Sequence, residues 1–302
     1  MARLEDEILF GGSRGGGKTA AGMAWLLYEI DKPHFRALII RRNSQDLRDW
    51  LDRAGRMYMA VGARVVGNPP EIRFPRGALF RTGHLNDENA YTMYQGHEYQ
   101  KMLVEELTQI PSEDSYEKLL GSLRSTVPGL KPQVFCTTNP DGPGMRWVKN
   151  RFGIPDYPKE NVRTVLPNGK TRIFVPARVE DNEALMKGDP SYIQYLEGIK
   201  DPDLRRAWRE GVWTGITLKG TYYSNEIAAM RADGRISAVP YDYRFPVLTV
   251  WDLGIGDATS IGFFQAGGQT IRMIDFYENS GVGLNHYIEV LQDKKYIYGR
   301  HY

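Results

Sequence analysis

Short apolar runs alternate with amphipathic stretches through residue 210, the pattern of strands interleaved with helices. Residues 7–10 read as a short apolar strand that ends in glycines. Residues 18–28 follow as a helix, with Met23, Leu26, Leu27 and Ile30 recurring at helical spacing. Residues 37–40 are apolar throughout and fit a buried parallel strand. A second helix is expected over 45–58, then two strands, 72–74 and 78–80, about a turn at Pro75, Arg76 and Gly77. Residues 102–104 make a third buried strand, Ser112 can cap a helix reaching about Leu123, and 133–136 make a fourth strand. This alternation implies a parallel sheet covered by helices on both faces.

The pattern then changes. Residues 154–179 are rich in proline, glycine and charge and read as an excursion from the sheet, whereas 191–198 and 201–210 return to helical periodicity. From Gly211 to about Asp242 the periodicity weakens, as in a linker or hinge. Beyond it, 247–251, 260–264 and 270–277 are strand-like runs joined by short turns, and 284–293 is amphipathic. That is an antiparallel meander followed by a helix, the opening of a second domain.

Composition narrows the classes. The chain has 302 residues, 41% apolar and 25% charged, and no apolar run approaches the ~18 residues of a membrane-spanning helix, so a globular soluble protein of about two domains is expected. One cysteine, Cys136, excludes an internal disulfide; it lies in a buried run, where it reads as core packing, and a reducing compartment is expected. With 39 basic and 37 acidic side chains the net charge is +2, so any nucleic-acid surface must be local.

The sharpest signal is Gly12, Ser13, Arg14, Gly15, Gly16, Gly17, Lys18 and Thr19, a full GxxxxGK[ST] pattern after one strand and opening a helix. Its glycines let backbone N–H groups turn inward around phosphate oxygens, Lys18 reaches the outer phosphates, and the Thr19 hydroxyl ligates Mg²⁺. A nucleotide-hydrolysing protein of this kind needs two carboxylates at a neighbouring strand tip. Glu105 and Glu106 follow the third strand, the first suited to the metal and the second to the attacking water. Thr138 and Asn139, at the tip of the next strand, are placed to sense the outer phosphate, as in additional-strand P-loop ATPases. Phosphoryl transfer also gains from an arginine on the developing charge. Arg14 could act within one subunit, and Arg124 on a neighbour's nucleotide.

Several linked blocks carry a family resemblance: ILFGGSRGGGKT, LIIRR, FPRGALFRTGH, YQGHEYQKMLVEELTQI, LLGSLRST, TTNP with Trp147, Val148 and Lys149, then Asp181 and Asn182, REGVWTG, and VWDLGIGD. In this order they resemble the large subunit of tailed-bacteriophage terminases, DNA-packaging motors that join an ATPase domain to an RNase H-like nuclease. The resemblance implies a P-loop ATPase domain of additional-strand type over 1–212, a linker over 213–242, and a partial RNase H-like domain over 243–302. It implies Glu106 as catalytic glutamate, residues 137–139 as the coupling segment, and Asp252 as the first metal-binding aspartate of a nuclease using two Mg²⁺ or Mn²⁺ ions. ATP with Mg²⁺ is the implied cofactor of the motor. The implied partners are double-stranded DNA, a small terminase subunit and the portal of a procapsid, with the chain in a ring, away from membranes, in the host cytoplasm.

The sequence departs from the family in three places. Position 105 is Glu where Asp is usual; eleven residues precede the loop, fewer than the family's adenine-contacting region; and the second domain reads as three strands and a helix, without the fourth strand and late helix expected to carry further carboxylates. Asp257, Asp275 and Glu278 are possible substitutes. Arg73, Arg76, Arg81, Lys149 and Arg151 are candidate DNA contacts, in competition with ordinary surface charge. Two other readings stay open: a different P-loop translocase or helicase, and a nucleotide-dependent assembly module that does not hydrolyse.

Overall fold

The structure is a computed structural model that describes residues 4–214, 224–254, 258–268 and 270–302. The chain divides into two compact units, Met1–Thr221 and Tyr222–Tyr302.

In the first unit β1 (Glu7–Gly12) leads through the glycine loop into α1 (Lys18–Leu26), followed by β2 (Arg36–Arg41), α2 (Leu47–Met59), β3 (Arg64–Val66), β4 (Glu71–Arg73) and β5 (Leu79–His84). Then come β6 (Lys101–Val104), α3 (Glu113–Leu120), β7 (Gln133–Thr138), α4 (Met145–Phe152), β8 (Val162–Val165) and β9 (Thr171–Ala177). Among the described residues these nine strands form one sheet in the order β3-β4-β5-β2-β6-β7-β1-β9-β8. The inner run from β5 to β9 is parallel, and the outer strands are antiparallel additions at each edge. β7 lies between the loop strand β1 and the acidic strand β6, the arrangement expected of the additional-strand class.

Strand alternation sends side chains to both faces. Ile8, Ala37, Ile39 and Leu103 pack with Met23, Trp25 and Leu26 of α1 and Trp50 of α2. Leu9, Leu38, Ile40, Met102 and Val104 pack on the other face with Tyr116 and Leu119 of α3 and Val148 and Phe152 of α4. Both layers are closed, which is why these strands read as unbroken apolar runs. Cys136 is fully buried in the second of these clusters, as core packing requires.

One stretch differs from expectation. Residues 154–179 are no excursion: β9 joins the parallel sheet beside β1, in register from Glu7 opposite Arg172 to Gly12 opposite Ala177. Its central pair, Ile173 and Phe174, is buried, but Arg172 and Pro176 break the apolar run and a hairpin with β8 surrounds it with loop composition. The expected linker opens on Trp213, which is fully buried with its ring edge-on to Phe174 at 5.7 Å, and contains a helix, Ser224–Ala232.

The second unit holds β10 (Val247–Asp252), β11 (Thr259–Gly267) and β12 (Thr270–Asn279) as an antiparallel meander, then helix Leu284–Asp293 and β13 (Tyr298–His301). β13 corrects the expectation of three strands: it returns parallel to β10 and gives the order β12-β11-β10-β13. Its residues, Tyr298, Gly299, Arg300 and His301, lack an apolar run, so periodicity alone passes over it. Val247, Ile261, Phe263 and Tyr287 form the small core. Among the described residues no helix is long and apolar enough to cross a membrane.

Candidate nucleotide site

The carboxyl ends of parallel strands are where the loops diverge and a crevice opens. Here a cavity of about 780 Å³ lies at those ends, lined by the glycine loop, the tips of β2, β6 and β7, and residues following β9. Arg14, Gly15, Gly16, Gly17, Lys18, Thr19, Glu105, Glu106 and Asn139 all border it.

Backbone conformation builds the loop. Gly12, Gly15 and Gly17 have φ of +148°, +82° and +73°, and a Cβ on Gly12 would lie 2.3 Å from the Ala177 carbonyl oxygen. Only glycine meets those demands. Ser13 N–H donates to Ala177 O at 2.9 Å and Arg14 N–H to Trp208 O at 2.7 Å, so the loop is pinned to the segments on its flank. Gly17 caps α1 in a left-handed conformation, and no acidic side chain occupies the first turn to compete for the positive helix end.

Lys18 is buried and donates to Ser13 O at 2.6 Å and to Asn139 Oδ1 at 2.9 Å. The other end of the same amide, Asn139 Nδ2, donates to Glu106 Oε2 at 3.2 Å. One asparagine therefore joins the loop lysine to the second glutamate. Thr19 Oγ1 donates to Glu105 Oε2 at 2.8 Å, and Arg41 Nη2 stands 3.5 Å from the same oxygen. Consecutive residues of an extended strand would point to opposite faces. Glu106 instead has φ +55° and ψ +55°, an uncommon conformation for a non-glycine residue, and this turn lets both glutamates line one cavity. Glu106 N–H donates to Thr137 Oγ1 at 3.3 Å, and the Thr138 hydroxyl is 2.6 Å from that of Thr108. Thr138 is fully buried and braces the acidic strand's exit rather than lining the cavity.

Electrostatics are set by enclosure. Burial draws the Lys18 pKa down to about 8, against the pull of Glu106, Glu105 and Asp141. Burial likewise pushes Glu105 up to about 7, opposed by Thr19 and Arg41 and reinforced by the neighbouring Glu106. Both shifts come from enclosure, which weakens each charged form relative to its exposed state. Glu105 Oε1 is a buried oxygen with no hydrogen-bond partner among the described residues. Beside the Thr19 hydroxyl it presents the hard oxygen donors that Mg²⁺ prefers, so these residues fit that ion.

Residues passed over in the sequence also converge here. Asp141 accepts from Trp208 Nε1 at 2.5 Å and from Gln109 Nε2 at 3.3 Å. The Arg14 guanidinium lies 3.9 Å over the Trp208 ring. Arg41 could have been found, since it ends a parallel strand where sites gather; Asp141 and Trp208 carry no signal in a single sequence.

Other candidates lie elsewhere. Arg124 borders a second cavity with Asp6, Glu7, Val134 and Arg172, at the opposite end of the sheet. Arg151 is not a surface contact: its side chain is 4% exposed and paired with Glu7, Glu113 and Glu117. Arg73 and Arg81 pair with Glu71, and Lys149 with Asp156. In the second unit Asp252 stands exposed at the end of β10, opposite Ser260, which is itself opposite Glu278. Asp275 is engaged by Lys294 and Tyr296. Asp257 lies outside the described residues. Among the described residues no group of three His, Cys, Asp or Glu side chains could hold a metal ion.

The sequence model described as the N-terminal part of the T4likevirus-type terminase large subunit matches residues 9–230. No curated protein is a match. Among solved structures, the large terminase of the thermophilic bacteriophage D6E is similar over 96% of this chain and 69% of its own, with 18% identity and a TM-score of 0.54. Its complex with ADP aligns with a TM-score of 0.52 at the same identity and coverage. Its complex with ATP-gamma-S aligns at 0.50, with 18% identity over 96% of this chain and 68% of that one. At this identity the likeness is one of fold.

Proposed function

Because the chain belongs to the T4likevirus-type terminase large subunits, we propose that its first unit is an ATP-hydrolysing motor that drives viral double-stranded DNA into a procapsid. The observation that carries this reading is the hydrogen-bonded path Lys18–Asn139–Glu106 inside the loop cavity. It links a phosphate-binding cation to a candidate base through a strand-tip amide.

In this reading the loop N–H groups and Lys18 hold the β- and γ-phosphates, and Glu106 orients the attacking water. Thr19 and Glu105 would hold Mg²⁺, which when bound supplies neutralising charge on the phosphates. Asn139 reports the state of the outer phosphate through its two bonds, and Thr138 anchors the strand tip behind it. Arg14 can act from within its own loop. Arg124, at the far end of the sheet, can reach only a neighbouring subunit's nucleotide, so its role requires a ring. The strand order of the second unit supports an RNase H-like domain, in which Asp252 would be one metal-binding carboxylate of a Mg²⁺ or Mn²⁺ nuclease site. The partners that follow are DNA, a small terminase subunit and the portal of a procapsid, and the place of action is the host cytoplasm at that portal.

The test is Mg²⁺-dependent phosphate release by the chain with DNA and procapsids, alongside protection of packaged DNA from nuclease. Hydrolysis coupled to protection is expected. Tight ATP binding without turnover under those conditions would select the assembly-module reading, and robust strand separation without packaging would select the helicase.

A further inference from the structure

The loop cavity has two unlike walls. Lys18, Thr19, Glu105, Glu106 and Asn139 make one wall polar and charged; Leu185, Tyr192 and Trp208 supply aliphatic and aromatic surface on another. This second wall leans on the loop itself. A Cβ added at Gly15 would lie 2.8 Å from Tyr192 Cε1 and 2.9 Å from Leu185 Cδ2. Asn182 fixes the contact from both sides: Nδ2 donates to Gly15 O at 2.7 Å while Oδ1 accepts from Leu185 N–H at 3.3 Å. Tyr192 is backed by Tyr195, with ring centroids 5.7 Å apart. Of the two aromatic side chains on this wall, Trp208 already carries Arg14 on its face and gives its N–H to Asp141. The Tyr192 ring is half-buried and borders the cavity.

A nucleotide has a polyanionic end and a flat heteroaromatic end. With its phosphates on the loop, its base needs apolar surface within one ribose of the glycines, and the wall against Gly15 supplies it. We infer that Leu185 and Tyr192 form the nucleobase subsite, holding a purine by stacking and apolar contact rather than by hydrogen bonds to its edge. This rests on the loop binding nucleotide phosphates, as proposed above. Asn182, the polar side chain of this wall, has both ends of its amide committed to backbone groups. A base gripped by its faces is discriminated weakly, so guanine and adenine nucleotides should bind within about 100-fold of one another.

The experiment measures equilibrium binding of ADP, GDP and inorganic tripolyphosphate to the full chain and to Tyr192→Ala, Tyr192→Phe and Leu185→Ala. Tyr192→Ala and Leu185→Ala should each weaken ADP about tenfold and leave tripolyphosphate unchanged, while Tyr192→Phe keeps the original ADP affinity. Unchanged ADP affinity in Tyr192→Ala, equal loss of ADP and tripolyphosphate, or loss in Tyr192→Phe would overturn the subsite, as would rejection of GDP by more than about 1,000-fold. If neither ADP nor tripolyphosphate bound the unaltered chain, the phosphate-loop reading would fall instead.

Discussion

Lys18 and Asn139, 121 positions apart in the chain, are joined by a buried hydrogen bond of 2.9 Å between an ammonium and an amide oxygen. The other end of that amide reaches Glu106, so one side chain touches both partners on which phosphate binding and water activation are proposed to depend.

Removing either end of this path should stop turnover by different routes. Lys18→Ala should lose nucleotide affinity as well as hydrolysis, whereas Glu106→Ala should bind ADP normally and lower kcat by about 10²–10⁴. Phosphate release and ADP titration on the same preparations separate the two. Ordinary turnover in both variants would refute the assigned chemistry.

Asn139→Ala keeps the lysine and glutamate but deletes the link. The expected result is a fall in kcat with the affinity for ADP nearly kept, because Lys18 retains its bond to Ser13 O. Asn139→Asp should do worse in binding, since it adds a further carboxylate to Glu105, Glu106 and Asp141 in a cavity that must receive a triphosphate.

The two arginines differ in what they need. Arg14→Ala should depress hydrolysis at every protein concentration; Arg124→Ala should depress only the activity that appears on assembly, by ~10³ or more if the residue works as an arginine finger. Mixing Arg124→Ala with Lys18→Ala subunits distinguishes them: partial recovery is expected in mixed rings, because each defect can then sit beside an intact partner. No recovery at any ratio would argue against action across subunits.

Stability has its own test at the far end of the sheet. Glu7 is buried, accepts from Arg151 Nε and Arg172 Nε at 2.7 Å each, and accepts the Tyr116 hydroxyl at 2.9 Å. Glu7→Gln takes the carboxylate from Arg172 and one of the three around Arg151, and should cost about 1–3 kcal/mol in urea unfolding followed by tryptophan fluorescence. Lys187→Ala, whose exposed pairing with Glu183 lies at the surface, should leave the transition where it is.

Much of this site was legible because its parts are short and local. The glycine loop, the glutamates after β6 and the polar tip of β7 each announce themselves within a few residues, since phosphate binding needs consecutive N–H groups and strand tips concentrate polar side chains. The unit's other contributions are long-range. Asp141 and Trp208 are 67 positions apart, and nothing near either one predicts the bond between them. β9 was hidden for a different reason: a central strand usually shows as an apolar run, and Arg172 and Pro176 interrupt this one while it pairs fully with β1. Position 151, an arginine among basic neighbours, looks like surface charge until tertiary packing puts three carboxylates around it.

β7 is laddered along both edges, from Glu7 opposite Val134 to Gly11 opposite Thr138 on β1, and from Lys101 opposite Gln133 to Val104 opposite Cys136 on β6. A strand held on two sides cannot slide like a piston without breaking both ladders. The first residue free of them is Asn139, followed by a proline that lacks an N–H to extend the ladder and by Gly142 at φ +88°. Motion that begins at Asn139 is therefore an elbow of one short loop, and its reach is that of a bond rotation carried over a few residues: the sheet is the bench and the loop is the lever.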